Sequence, residues 1–178
     1  MADKADKADM PDMPDTTDKT EHPEVLRFYN RREPPGPEHR PRARCHEPPP
    51  DGLLLGIEQF NAREYFEAHE TLETLWNAEP DPIRVLYKGI LQVGVGCYHL
   101  LRGNYRGATL KLQTGADYLT AFAPRCMRVE VEPLIADALR LRAAIVAAGP
   151  ARLAEVDRAL LPVIRLATGD ERPIGGEG

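Results

Sequence analysis

From Asp51 to Ala148 the apolar residues recur every three or four positions, and the breaks are built around Gly, Pro, Asn and Asp. That period belongs to amphipathic α-helices, and no stretch alternates as a half-buried strand would. Asp51 is placed to cap a first helix reaching about Phe60. Asn61 closes it or caps the next, with Glu64 three residues on at capping-box spacing. A second helix runs to about Trp76. The loop NAEPDP follows, with Asp81 as N-cap and Pro82 at the first helical position. The third helix then reaches Arg102, where Gly103 terminates it. Asn104 caps a fourth, which carries Ala108, Leu112, Gly115, Leu119 and Phe122 on one stripe and stops at Pro124. A fifth holds Leu134, Ile135, Ala138, Leu141 and Ile145. Beyond Gly149-Pro150, a short sixth holds Leu153, Val156 and Leu160 before Pro162. The class is all-α: a compact array of five to six helices built from antiparallel pairs, because the turn at Gly103-Asn104 is too short for anything else. Gly89, Gly96, Gly107 and Gly115 each weaken a helix, and their concentration in two adjoining helices predicts close backbone packing.

The ends read differently. Residues 1–50 are expected to be a disordered acidic and Pro-rich tail, because the repeat ADKADKADMPDMPD has too little apolar surface to offset its ordering entropy. The basic run HRPRARC within it reads as a solvated linker. Residues 169–178 form a second polar tail, which leaves a helical domain over 51–168. A net charge of −5 gives no general attraction to nucleic acid. No run approaches the roughly 20 apolar residues of a spanning helix, and MADKADKADMPD has no apolar core of a secretory signal. A soluble, cytoplasmic protein is expected, with homo-oligomerisation left open. Cys45, Cys97 and Cys126 are odd in number and widely spaced, so no disulfide framework is expected and a reducing compartment fits. Cys97 reads as a small buried hydrophobe. Cys45-His46 has the residue types of a metal half-site, but it lies in a Pro-rich tail without partners.

One constellation carries chemistry. The second helix reads NAREYFEAHETLETLW. On a wheel at about 100° per residue, Ala62, Tyr65, Phe66, Leu72, Glu73 and Trp76 fall within roughly 60° of His69. His69 and Glu73 thus sit one turn apart in an apolar face, whereas Glu64 and Glu67 point away and Glu70 lies near the edge. A carboxylate among Tyr, Phe, Leu and Trp must be paired, neutralised or bound to something. On the third helix Lys88, Gln92 and His99 form a narrow polar line, and antiparallel packing would turn Gln92 or His99 toward His69 and Glu73. Tyr65 and Trp76 read first as core. Two of the ligands of a divalent metal such as zinc could come from His69 and Glu73, with His99 or Glu70 completing the set. HETLE differs from the zinc-protease string HExxH only at its last position. The same pair could bind or process a small molecule, or serve only as a structural polar network in an interaction module. The residues do not decide whether the chain is an enzyme.

Two strings carry a resemblance: FNAREYFEAHETLETLW and YKGILQVGVGCYHLLRGNYRGA. They closely resemble the bacterial and archaeal domain of unknown function family 309, over about residues 52–122. The family's hallmark, His-x-x-x-Glu with an aromatic residue three positions later, is present as His69, Glu73 and Trp76; Gly103, Asn104, Gly107 and Ala108 match a second string. The resemblance implies a compact helical array and metal binding through the hallmark. It says nothing of the N-terminal tail.

Overall fold

The structure is a computed structural model and describes residues 41–168. The tails expected over 1–40 and 169–178 lie outside the described residues. Among the described residues five α-helices follow one another: α1 (Asp51–Asn61), α2 (Tyr65–Ala78), α3 (Arg84–Leu101), α4 (Tyr105–Leu119) and α5 (Val131–Ala148). Each packs on the next, apart from the short excursion between α4 and α5. The array is all-α, as the periodicity requires.

α3 is the centre. All its residues except His99 and Leu101 are buried, between α2 on one side and α4 on the other. The glycines explain how α4 comes so close. A methyl group at Gly96 would sit 2.7 Å from Leu112 Cγ, and one at Gly115 would sit 2.8 Å from the Val93 backbone nitrogen. Gly89 faces Leu119, so the two helices run in opposite senses from the Gly103 turn, where φ is +76°. Asn104 caps α4 as expected, its Oδ1 accepting from the Gly107 N–H at 2.8 Å. Asp81 Oδ1 accepts from the Ile83 N–H at 2.9 Å, one turn before α3 proper.

Other expectations need correction. Asp51 and Glu64 make no capping bond through their side chains. Asn61 is occupied elsewhere: its Nδ2 donates to the Ile164 carbonyl at 2.9 Å and its Oδ1 accepts from the Ile164 N–H at 2.8 Å. The sixth helix is two 3₁₀ turns, Pro150–Glu155 and Arg158–Leu160, too short to repay α-helix nucleation. A two-residue hairpin pairs β1 (Arg125–Cys126) with β2 (Val129–Glu130), and Leu166 bridges to Val129. Its turn residues Met127 and Arg128 have positive φ without being glycine, so the usual hairpin signal is missing.

The cysteines differ most. Cys45 and Cys126, 81 positions apart, form a disulfide with Cα atoms 4.2 Å apart. This overturns the expectation of unpaired thiols and removes Cys45-His46 as a metal half-site. Spacing along the chain could not reveal that the fold lays Cys45 against the hairpin, where its carbonyl accepts from the Met127 N–H at 2.7 Å. A bonded pair also removes the ground for inferring a reducing compartment. Cys97 is the remaining free thiol among the described residues, and it is buried. Residues 41–50, tail by composition, are held further by Arg42 on the Ala123 carbonyl and by Arg44 on Glu79 at 3.0 Å. No described helix is long and apolar enough to cross a membrane.

Candidate functional site

Three helices meet along one line of polar groups. α2 contributes His69, Glu73 and Trp76; α3 contributes Arg84, Lys88 and Gln92; α4 contributes Lys111 and Tyr118. The antiparallel packing of α2 on α3 sets the pairing: Tyr65 lies beside Gly94, and Trp76 lies beside Arg84 and Lys88 at the opposite end.

His69 is buried at 3 % exposure, as the wheel places it. Its Nδ1 stands 4.0 Å from Glu73 Oε2, too long for a hydrogen bond. Its Nε2 is also buried and meets no hydrogen-bond partner. Burial holds the imidazole below its ordinary pKa; Glu73 and Glu70 pull upward, and the Lys111 ammonium pushes further down. Glu73 is not the buried carboxylate that the wheel suggests: its side chain is 36 % exposed, at the rim.

Lys88 is a second buried base. At 5 % exposure its ammonium lies 5.0 Å from the Trp76 ring centre and 5.1 Å from that of Tyr118. Burial and then the Lys111 charge bring its pKa down to about 8. Arg84 covers the same Trp76 ring at 4.7 Å. Burial lowers the Arg84 guanidinium and Glu79 partly restores it. Gln92 is buried on the same face of α3.

Two expected members stand apart. His99 lies at the α3–α4 turn, with its Nδ1 3.3 Å from Asn104 Nδ2. Tyr65 packs edge-on against Phe60 at 5.5 Å, and burial beside Cys97 raises its phenol. Burial pushes the Cys97 thiol up to about 12. Both are core, as first read.

Lys111, Tyr118 and Arg84 were missed. Lys111 stands three residues after Ala108 and four before Gly115, at the edge of the apolar stripe of α4. A charge there stands out only once that stripe is drawn tightly, and Tyr118 follows two turns later.

For a metal the donors fall short. Among the described residues no group of three or more His, Cys, Asp and Glu side chains is placed to hold an ion. A zinc site takes at least three protein ligands, and two lysines nearby oppose a cation.

The comparisons agree with the motif strings. A protein of Bacillus subtilis (strain 168) called uncharacterized protein YpuF is 42% identical over 61 residues, or 33% of this chain and 35% of that protein. The chain thus spans about a third of the length of the curated relative it matches. No solved structure matches. Residues 53–110, which carry His69, Glu73, Trp76, Lys88, Gln92 and His99, match the family described as domain of unknown function (DUF309).

Proposed function

We propose that the chain binds a small molecule at the line of polar groups shared by α2, α3 and α4. The observation that carries this reading is His69. A buried imidazole nitrogen without a hydrogen bond costs stability, of order 1–3 kcal/mol. Such a cost is understandable where a ligand supplies the missing partner. Around it stand side chains from three helices, Glu73 on α2, Lys88 and Gln92 on α3 and Lys111 on α4, so that a ligand there would meet groups of different chemistry. Glu73, partly exposed at the rim, gives the site a polar edge.

Trp76 is the single tryptophan of the chain, so its emission reports on this site directly. A panel of small acids, bases and neutral polyols is titrated at millimolar concentration while emission is followed. At least one compound is expected to give a saturable change that disappears in His69→Ala and survives in Leu110→Ala, a substitution on the exposed face. A panel without saturable responses, or responses indifferent to His69→Ala, would sink the reading.

A second reading has its own observation. Lys88 stands between the Trp76 and Tyr118 rings, a contact that ties α3 to α2 and α4 whatever else it does. If the polar groups act only in this way, Lys88→Met lowers the melting temperature and no ligand changes it. Under the binding reading His69→Leu is neutral or stabilising in the absence of ligand, because it removes the orphaned nitrogen.

A further inference from the structure

A second place on the molecule, sharing no residue with the polar line of α2, α3 and α4, has both room and charge. An open cleft of about 990 Å³ lies between residues 45–48, the β1–β2 hairpin and residues 165–168. Sites that hold small molecules run up to roughly this volume. The walls come from three distant parts of the chain and are tied together. The Cys45–Cys126 disulfide and the Met127 N–H, which donates to the Cys45 carbonyl at 2.7 Å, join the first wall to the second. The Glu130 N–H donates to the Arg165 carbonyl at 2.9 Å, and the Ala167 N–H to the Arg128 carbonyl at 2.8 Å, which lays the third wall alongside β2. A cleft braced in this way is set before a ligand arrives, which lowers the cost of binding.

The pairing also sorts the side chains. Successive residues of a strand point to opposite faces, and directly opposed residues share one. Cys126 and Val129 oppose each other, and both are buried. Arg125 opposes Glu130, on the other face. Arg125, Arg128 and Arg165 are all exposed and all line the cleft, with His46 from the first wall. Between the strands Met127 and Arg128 have φ of +47° and +63°, a region that residues with side chains seldom enter. Met127 is anchored there: it is buried, and its sulfur accepts from the Tyr87 hydroxyl at 3.6 Å. Backbone strain of this kind clusters where a functional group has to be positioned, and the group presented here is the Arg128 guanidinium. Its Nε and Nη2 both donate to the Ala167 carbonyl, at 3.0 and 2.9 Å. That acceptor is neutral, so the guanidinium is fixed in place with its charge uncompensated.

The charge balance of the cleft then selects the ligand. Two carboxylates line it, and both are taken. Glu130 Oε1 lies 2.7 Å from Arg125 Nη2, and Glu47 Oε2 accepts from Arg44 at 2.9 Å. Arg128 and Arg165 have no carboxylate partner among the described residues. A guanidinium offers paired N–H donors that match two oxygens of a carboxylate or a phosphate. We propose that this cleft binds a small polyanion through carboxylate or phosphate groups held by Arg128 and Arg165. Two separate guanidiniums and the volume suit a ligand with at least two such groups better than a single inorganic ion. The cleft and the α2–α4 site are independent, and either stands if the other fails.

Isothermal titration calorimetry of the full, oxidised chain tests this, at constant ionic strength maintained with chloride. Pyrophosphate and citrate are the probes, which separates phosphate from carboxylate sources. At least one is expected to saturate. Arg165→Gln and Arg128→Gln should each raise its Kd about five-fold or more, as loss of a charge-assisted hydrogen bond does. Arg140→Gln, which removes the same charge from α5 outside the cleft, should change it less than about two-fold. Circular dichroism melts show which variants are folded. Arg165 is exposed, so its variant is expected to fold; if Arg128→Gln does not, Arg165→Gln carries the comparison. Absence of saturation with both probes overturns the proposal. So does an unchanged Kd in a folded Arg165 or Arg128 variant, or an equal loss in Arg140→Gln, which would mean attraction to surface charge at large.

Discussion

The chemistry of the site turns on Lys88 and His69, two bases that the fold treats alike. Both are buried and both are driven toward their neutral forms. For Lys88, facing Lys111 from α4 and the rings of Trp76 and Tyr118, the folded pKa of about 8 lies below the ordinary 10.5. The unfolded chain therefore holds this proton more tightly, so the cost of the group to stability is full below about pH 8 and is relieved as pH rises toward 10.5; denaturation of the wild type and of Lys88→Met across pH 7–10 checks this. For His69 the folded pKa is lowered from 6.5, so the unfolded chain binds the proton more readily. Stability from this group is present above pH 6.5 and is lost as pH falls toward the folded value. An NMR titration of the His69 ring should give a midpoint below 6.5, and a midpoint above it would contradict the burial of the imidazole. Much of this was legible in the residues. The wheel placed His69 correctly, because apolar neighbours at three- and four-residue spacing define a face. It overstated Glu73, because a wheel gives direction but not depth, and the last turns of α2 rise toward the rim. It missed Lys111 because a lone lysine on a mostly polar helix is no anomaly until the buried stripe is drawn tightly.

At the scale of elements, the α3–α4 pair governs the site, since Lys88 and Lys111 face each other only while these helices stay close. Gly115 is the tightest point, with the Val93 backbone nitrogen 2.8 Å and the Gly89 carbonyl 3.0 Å from any added methyl. Backbone cannot step aside as a side chain does. Gly115→Ala should cost about 1–3 kcal/mol, the usual range for overpacking a core, and chemical denaturation would read it. Gly103→Ala meets nothing within 4 Å and pays only for its positive φ. It should cost no more than about 1–2 kcal/mol. If the two variants melt alike, close helix approach is not what Gly115 provides. The helices themselves were readable because their breakers are strong: NAEPDP, Gly103-Asn104, Pro124 and Gly149-Pro150 all fall at or beside real ends. The hairpin was not, since two residues cannot show alternation and Met127 and Arg128 carry no turn signature. Asn61 misled for a different reason. Its side chain suits a helix cap, but Ile164, more than a hundred positions on, claims both ends of it.

At the scale of the molecule, the disulfide is the feature least visible beforehand, because only the completed fold brings Cys45 to Cys126. Closing a loop of 81 positions removes unfolded-state freedom worth at most about 4.5 kcal/mol. Dithiothreitol should lower the melting temperature of the wild type and leave a Cys45→Ser, Cys126→Ser double variant, already lower, unchanged. Equal melting of reduced and oxidised wild type would mean that the link adds nothing. The bond also gives the chain the topology of a ring with a pendant. The covalent circuit from Cys45 to Cys126 contains α1 to α4, and with them every side chain of the candidate site; α5 and the 3₁₀ turns hang outside it. A single protease cut inside the circuit, for example between α2 and α3, leaves one molecule whose halves part only on reduction. A cut near Gly149 releases its fragment at once under denaturing conditions. The chain can thus be nicked beside the groups of the candidate site and still hold all of them in one covalent body.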